Sequence, residues 1–160
     1  MTGIDQHQTS SRDGGFTPAY ARWRATGLGR ITDRLEETLL LELVGDLDNR
    51  KALDVGCGDG LLAIRLAQRG AQVTGLDPDP TMLAAVRQRA ESQSLDVAVV
   101  RGRAEALPFA DNSFDLVTAV TVLSFISQAD TAIAEMTRVL RPGAQLVVGE
   151  LGRWNLWAAK

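Results

Sequence analysis

The chain has 160 residues, enough for one domain and too few for two. Its 45% apolar content suits a packed globule and excludes a disordered chain. A formal charge of −3, without a basic stripe, argues against a nucleic-acid substrate; the densest basic group is Arg22, Arg24 and Arg30.

No apolar run in these residues reaches transmembrane length, and no signal peptide is expected before the core. The single cysteine, Cys57, excludes an internal disulfide and points to the reducing cytoplasm. The one histidine, His7, lies in a polar start, so no metal cluster is visible; residues 1–15 are expected to be a disordered tail. Residues 16–160 read as one domain, a helical cap over 16–49 and a core over 50–160.

The stretch from Thr17 to Gly45 is helical in character. Ile31, Leu35, Leu39 and Leu43, with neighbouring Leu40, Leu41 and Val44, are expected to form one apolar face. The spacing then predicts a strand over 51–55 that opens at once into a turn with Gly56, Gly58 and Gly60 at alternate positions. Glycine lets the backbone turn sharply and approach a ligand where a side chain would clash. A helix follows over Leu61 to Arg69, closed by Gly70. Leu61 stands at the third glycine position of a dinucleotide fingerprint, and Asp54 sits beside a loop without lysine or arginine. That pattern favours a ligand with a cationic group over one with phosphates. The alternative is a tight strand-to-helix turn in some other α/β protein.

A second strand over 72–76 ends at Asp77, roughly twenty residues past the turn, where an acid can take both hydroxyls of a ribose. Taken alone, Asp77 could be a helix N-cap, with Pro78 after it; its position after a glycine-rich strand-turn-helix unit favours the ribose role. Strands are predicted over 97–101, 115–120 and 145–150. Between the last two, Ala132 to Gly143 reads as an amphipathic helix ended by Pro142-Gly143.

The run Asp54-Val55-Gly56-Cys57-Gly58-Asp59-Gly60 resembles motif I of the class I S-adenosylmethionine (SAM)-dependent methyltransferases, and Asp77-Pro78-Asp79-Pro80-Thr81-Met82 resembles their motif II. Gly102-Arg103-Ala104-Glu105-Ala106-Leu107-Pro108-Phe109-Ala110-Asp111-Asn112-Ser113-Phe114-Asp115 resembles the stretch after the third strand in the type 11, ubiquinone/menaquinone-biosynthesis-type members. Several motifs in the right order are more specific than any one.

The resemblance implies an α/β, Rossmann-like fold, a mostly parallel sheet with helices on both faces and an N-terminal helical cap. The family's β6–β7 hairpin is expected to be missing here. It implies that Asp54, Gly56, Cys57, Gly58, Gly60 and Leu61 hold the amino-acid end of the cofactor. Asp77 and Pro78 would take the ribose, and Met82, Ala104 and Glu105 the adenine. Arg103 stands where the family has an acid on the adenine amino group, and arginine has no acceptor. Val120 and Thr121 would line the reactive end. Phe125 stands where many relatives carry a histidine, so no catalytic acid or base is named. Tyr20 and Trp23 would be lid residues, and Arg30 would reach the SAM carboxylate; alternatively the two aromatics pack the cap onto the sheet.

The implied activity is methyl transfer from SAM to a small-molecule acceptor, leaving S-adenosylhomocysteine (SAH). The alternative is a catalytically incomplete SAM/SAH-binding fragment or partner subunit. With Trp154, Leu156 and Trp157 following the fifth strand, that strand is expected to be an open edge. Self-association or a completing chain is expected there.

Overall fold

A computed structural model describes residues 25–150 and Arg22. His7, Tyr20, Trp23, Trp154, Leu156 and Trp157, and the expectations attached to them, lie outside the described residues. The strands are β1 (Lys51–Val55), β2 (Gln72–Asp77), β3 (Val97–Arg101), β4 (Phe114–Val120) and β5 (Leu140–Gly149). The helices are α1 (Gly27–Val44), α2 (Leu61–Gln68), α3 (Pro80–Glu91) and α4 (Ala129–Val139), with a 3-10 turn at Leu123–Phe125.

The strands form one parallel sheet in the order β3-β2-β1-β4-β5. Alternation along each strand divides the core. Ala52 and Leu116 face the layer of Leu41, Val44, Ile64 and Val86 from α1, α2 and α3. Leu53, Val55, Val117 and Ala119 face Ala132, Met136 and Val139 of α4. Both faces of the sheet are therefore covered. The chain runs outward from β1 through β2 to β3, then crosses to β4 on the other side of β1. That reversal leaves a crevice at the carboxyl ends of β1 and β4, where open α/β sheets bind ligands.

Three local readings differ from the structure. First, α4 ends at Val139, three residues before Pro142. Leu140 turns extended and pairs with Phe114, and the register then jumps to Leu116 opposite Gln145. Arg141 precedes a proline and is disfavoured in the helix, while Gly143 takes a φ of +78°, so Pro142-Gly143 forms a bulge within β5. Second, the N-cap of α3 is Asp79, which accepts the Thr81 amide at 2.8 Å, with Pro80 at the first helical position. Asp77 is left for other partners.

Third, the apolar residues of α1 do not share one face. Leu41 and Val44 are buried and Leu40 packs beside them. Leu28, Ile31, Leu35, Leu39 and Leu43 are each 54–62% exposed. A repeat of four places that row on the far side of the helix from Leu40 and Val44. Anchors to other elements fix which side turns inward. Glu37 pairs with Arg65 of α2 at 2.5 Å, and the carbonyl of Leu43 accepts Gln145 of β5 at 2.8 Å.

Candidate cofactor site

The carboxyl ends of β1 and β2 carry Asp54 and Asp77, both buried. After β1 the chain turns through Gly56, Gly58 and Gly60, with φ of +67°, +52° and +82°. The turn is pinned to β2: Gly56 and Cys57 donate their amides to the Leu76 carbonyl, at 2.7 and 3.0 Å. Gly58 donates to Asp77 Oδ2 at 3.0 Å. The other oxygen of Asp77 accepts the Asp79 amide at 2.9 Å.

Two glycines are also required by close packing. A Cβ on Gly60 would meet Val86 of α3 at 2.8 Å, and one on Gly56 would collide with the Val122 side chain. Arg89 of α3 reaches Asp59 with Nη2 at 2.8 Å and its carbonyl with Nε at 3.1 Å, holding the loop from outside.

Asp54 lies under the loop. Burial pushes its pKa up to about 7; bonds from Thr118 and the Ala63 backbone act in the opposite direction, and the nearby Asp77 carboxylate adds to the rise. The Thr118 hydroxyl donates to Asp54 Oδ1 at 2.8 Å. Among the described residues neither Asp54 nor Asp77 forms an ion pair. Two buried acids that repel one another, without a cation between them, suit a positively charged ligand.

A cavity of about 270 Å³ opens beside the loop. Its walls include Gly56, Asp77, Pro78, Met82, Arg103, Ala104 and Glu105 from the sequence-predicted set. Thr121, Val122, Phe125 and Ile126 close the end beyond β4. Arg103 donates to Glu105 at 3.2 Å, while its own side chain is 70% exposed. The 103–111 segment is fastened from behind by Glu135, which accepts the Leu107 amide at 2.8 Å, and by Arg138, which bonds Leu107, Phe109 and Asp111. The Arg138 guanidinium holds Glu135 down at about 2.

Asp54, Cys57, Gly58, Gly60, Leu61 and Val120 are not on the cavity wall. Asp54 is covered by the loop. Cys57 packs over Gly75, where an added Cβ would meet its sulfur at 2.9 Å. Burial, with Asp54 and Asp77 nearby, pushes its thiol far up, which makes it a packing group rather than a nucleophile. Arg30 donates to the Ala25 carbonyl at 2.6 Å and is likewise absent from the wall.

Sequence reasoning missed three supports: Thr118, Val122 and Glu150. The signal for Glu150 was present, since it follows β5 as Asp54 and Asp77 end β1 and β2. Among the described residues no cluster of three or more metal-ligating side chains occurs, and no helix is long and apolar enough to cross a membrane.

Residues 53–148 match the family model described as a methyltransferase domain. The chain is 42% identical over 103 residues to demethylmenaquinone methyltransferase of Thermus thermophilus, covering 63% of this chain and 47% of that protein. It is 40% identical over 124 residues to the ubiquinone/menaquinone biosynthesis C-methyltransferase UbiE of Paracoccus denitrificans, covering 75% of this chain and 50% of that one. Among solved structures, the [4+2]-cyclase SpnF is 37% identical with a TM-score of 0.69, covering 74% of this chain and 44% of that chain. The chain thus spans about half the length of the curated relatives it matches.

Proposed function

The chain belongs to the methyltransferase-domain family, and on that premise we propose that it binds SAM and transfers its methyl group to a small-molecule acceptor. One observation carries the reading. Two buried acids, without an ion-pair partner among the described residues, flank a glycine turn at the switch point of the sheet, and SAM presents an ammonium and a sulfonium.

Asp54 and the turn from Gly56 through Cys57, Gly58 and Gly60 to Leu61 form the seat for the amino-acid end. Asp54 acts from beneath, as charge and loop support. Asp77, already oriented by two backbone amides, accepts from the ribose hydroxyls, with Pro78 beside it. Met82 packs on the adenine, and Ala104 offers its backbone amide there. Arg103 takes no proton from the adenine amino group; its guanidinium plane can lie over the ring while Glu105 supplies the local carboxylate. Val120, Thr121 and Val122 border the reactive end. Tyr20 serves as a lid residue and Arg30 as a partner of the SAM carboxylate.

SAM supplies an activated methyl group: the acceptor atom forms a bond to it, the sulfur–carbon bond breaks, and its electron pair stays on SAH. The protein's part is then to align the pair and exclude water. No side chain is assigned as acid or base.

The relatives' names direct the first turnover assays to quinone precursors. SAM with such acceptors should yield SAH and a methylated product. Binding without turnover would support a partner subunit or an incomplete fragment. The [4+2]-cyclase among the similar structures has the same fold under a name that is not a methyltransferase's, so turnover has to be assayed and not read from the fold.

The open side of β5, at the edge of the described sheet, supports pairing with a second copy or a completing chain. The single buried thiol supports a cytoplasmic setting.

A further inference from the structure

The segment after β4 holds an unusual backbone. Thr121 is β-branched, yet its φ is +57°. That region is disfavoured for any residue with a Cβ and most of all for a branched one. Strain of this kind persists only where the surroundings over-determine it. Here the surroundings are the end of β5. Thr121 donates its amide to the Gly149 carbonyl at 2.7 Å. The next residue, Glu150, accepts from three successive positions: the Val122 amide at 3.1 Å and the Leu123 amide at 2.6 Å on Oε1, and the Ser124 hydroxyl at 2.6 Å on Oε2. One carboxylate thus fixes three consecutive residues.

One of them, Val122, and its neighbour Thr121 shape the cavity. Thr121 and Val122 are on its wall, and the Val122 side chain occupies the space above Gly56 that any Cβ there would enter. The glycine turn and the post-β4 segment face one another, and Glu150 holds the second in place against the first. Asp77 does the same for the first, through the Gly58 amide.

We propose that Glu150 is a positioning residue for the cofactor site, fixing Val122, Leu123 and Ser124 so that the wall opposite the glycine turn is pre-shaped for ligand. The proposal rests on the SAM-binding reading above. Loss of the carboxylate releases two backbone amides and a hydroxyl in the segment that follows the left-handed Thr121. The wall then has to be ordered at the expense of binding.

The test is calorimetric titration with SAH on the wild type, Glu150→Ala, Glu150→Gln and Ser124→Ala, with thermal melting and hydrogen exchange of the Val122 and Leu123 amides. Glu150→Ala should weaken SAH binding about tenfold, the loss expected for about one charged hydrogen bond's worth of ordering. Glu150→Gln, which keeps one acceptor oxygen, should fall between it and the wild type, and so should Ser124→Ala. Exchange at 122 and 123 should quicken in both Glu150 variants without ligand, while the melting temperature stays within about 4 °C of the wild type.

Unchanged SAH affinity in Glu150→Ala and Ser124→Ala, with a wild type that binds, overturns the positioning role alone. So does an affinity loss matched by a general melting-temperature drop with no local change in exchange. A folded wild type that does not bind SAH overturns the cofactor reading and this role with it.

Discussion

The Thr118 hydroxyl on β4 and the Asp54 carboxylate on β1 are hydrogen-bonded at 2.8 Å inside the sheet, beneath the glycine turn. The bond favours the ionised acid, but burial outweighs it and leaves the group near 7 rather than 3.8. Between those values the folded chain keeps a proton that the unfolded chain has lost, so raising the pH through this window destabilises the fold. Below about pH 4 both states are protonated, and above about pH 7 both are ionised and the loss is complete. Glu135 works in the opposite sense. Its pKa falls from 4.5 to about 2 on folding, so its contribution is present above 4.5 and lost as the pH falls toward 2. Stability should peak at about pH 4 to 4.5, where the two slopes cancel, and decline toward neutrality, and Asp54→Asn should flatten the decline. Denaturant midpoints between pH 4 and 8 check this; an unchanged slope in Asp54→Asn would contradict it.

A cationic ligand near Asp54 would favour its ionised form, so the same group should appear in binding. SAH affinity should rise with pH up to about 7 and level off above, and Asp54→Asn should bind weakly with no such rise. Calorimetry at several pH values measures it, and parallel profiles for the two proteins would remove Asp54 from the site.

Gly60 separates backbone strain from crowding. An alanine there keeps a φ of +82° and brings its Cβ to 2.8 Å from Val86. The strain alone costs about 1–2 kcal/mol, and the overlap adds to it. Gly60→Ala should therefore destabilise by more than that, and adding Val86→Ala should leave less than the sum of the two single losses. Strictly additive losses would mean that Val86 does not limit the approach of α3 to the loop.

The β5 edge and the exposed row on α1 bear on assembly. Leu28, Ile31, Leu35, Leu39 and Leu43 form a continuous apolar strip, of the kind usually covered in soluble proteins. Light scattering at micromolar concentration should give a mass above that of one chain, and Leu35→Lys with Leu39→Lys should lower it. A clean monomer in the unsubstituted chain would contradict self-association.

The core of the fold was legible because its signals are local. Apolar runs ending in Asp54 and Asp77, with alternate glycines between them, leave little choice but strand, turn and helix. Where the reading strayed, non-local contacts decided. The Pro142-Gly143 pair was a reasonable helix stop, but Leu140 finds a better place against Phe114 and draws the chain into β5 five residues before the expected start. Apolar residues surround α1, so periodicity alone could not say which side meets the sheet; Gln145 and Arg65 decide it. Glu150 stood out only as an acid at the end of a strand; what it holds was hidden for the same reason. Its partners lie 26 to 28 residues back along the chain, and nothing in the sequence marks Thr121 as left-handed.

The central claim is that two buried acids and a glycine turn form a SAM site, and titration of the chain with SAH, beside Asp77→Ala, tests it most directly. The account predicts micromolar binding to the wild type and at least a hundredfold loss in Asp77→Ala, roughly the worth of two charge-assisted hydrogen bonds. A folded wild type that takes up no SAH, or an Asp77→Ala variant that binds as tightly, would contradict it.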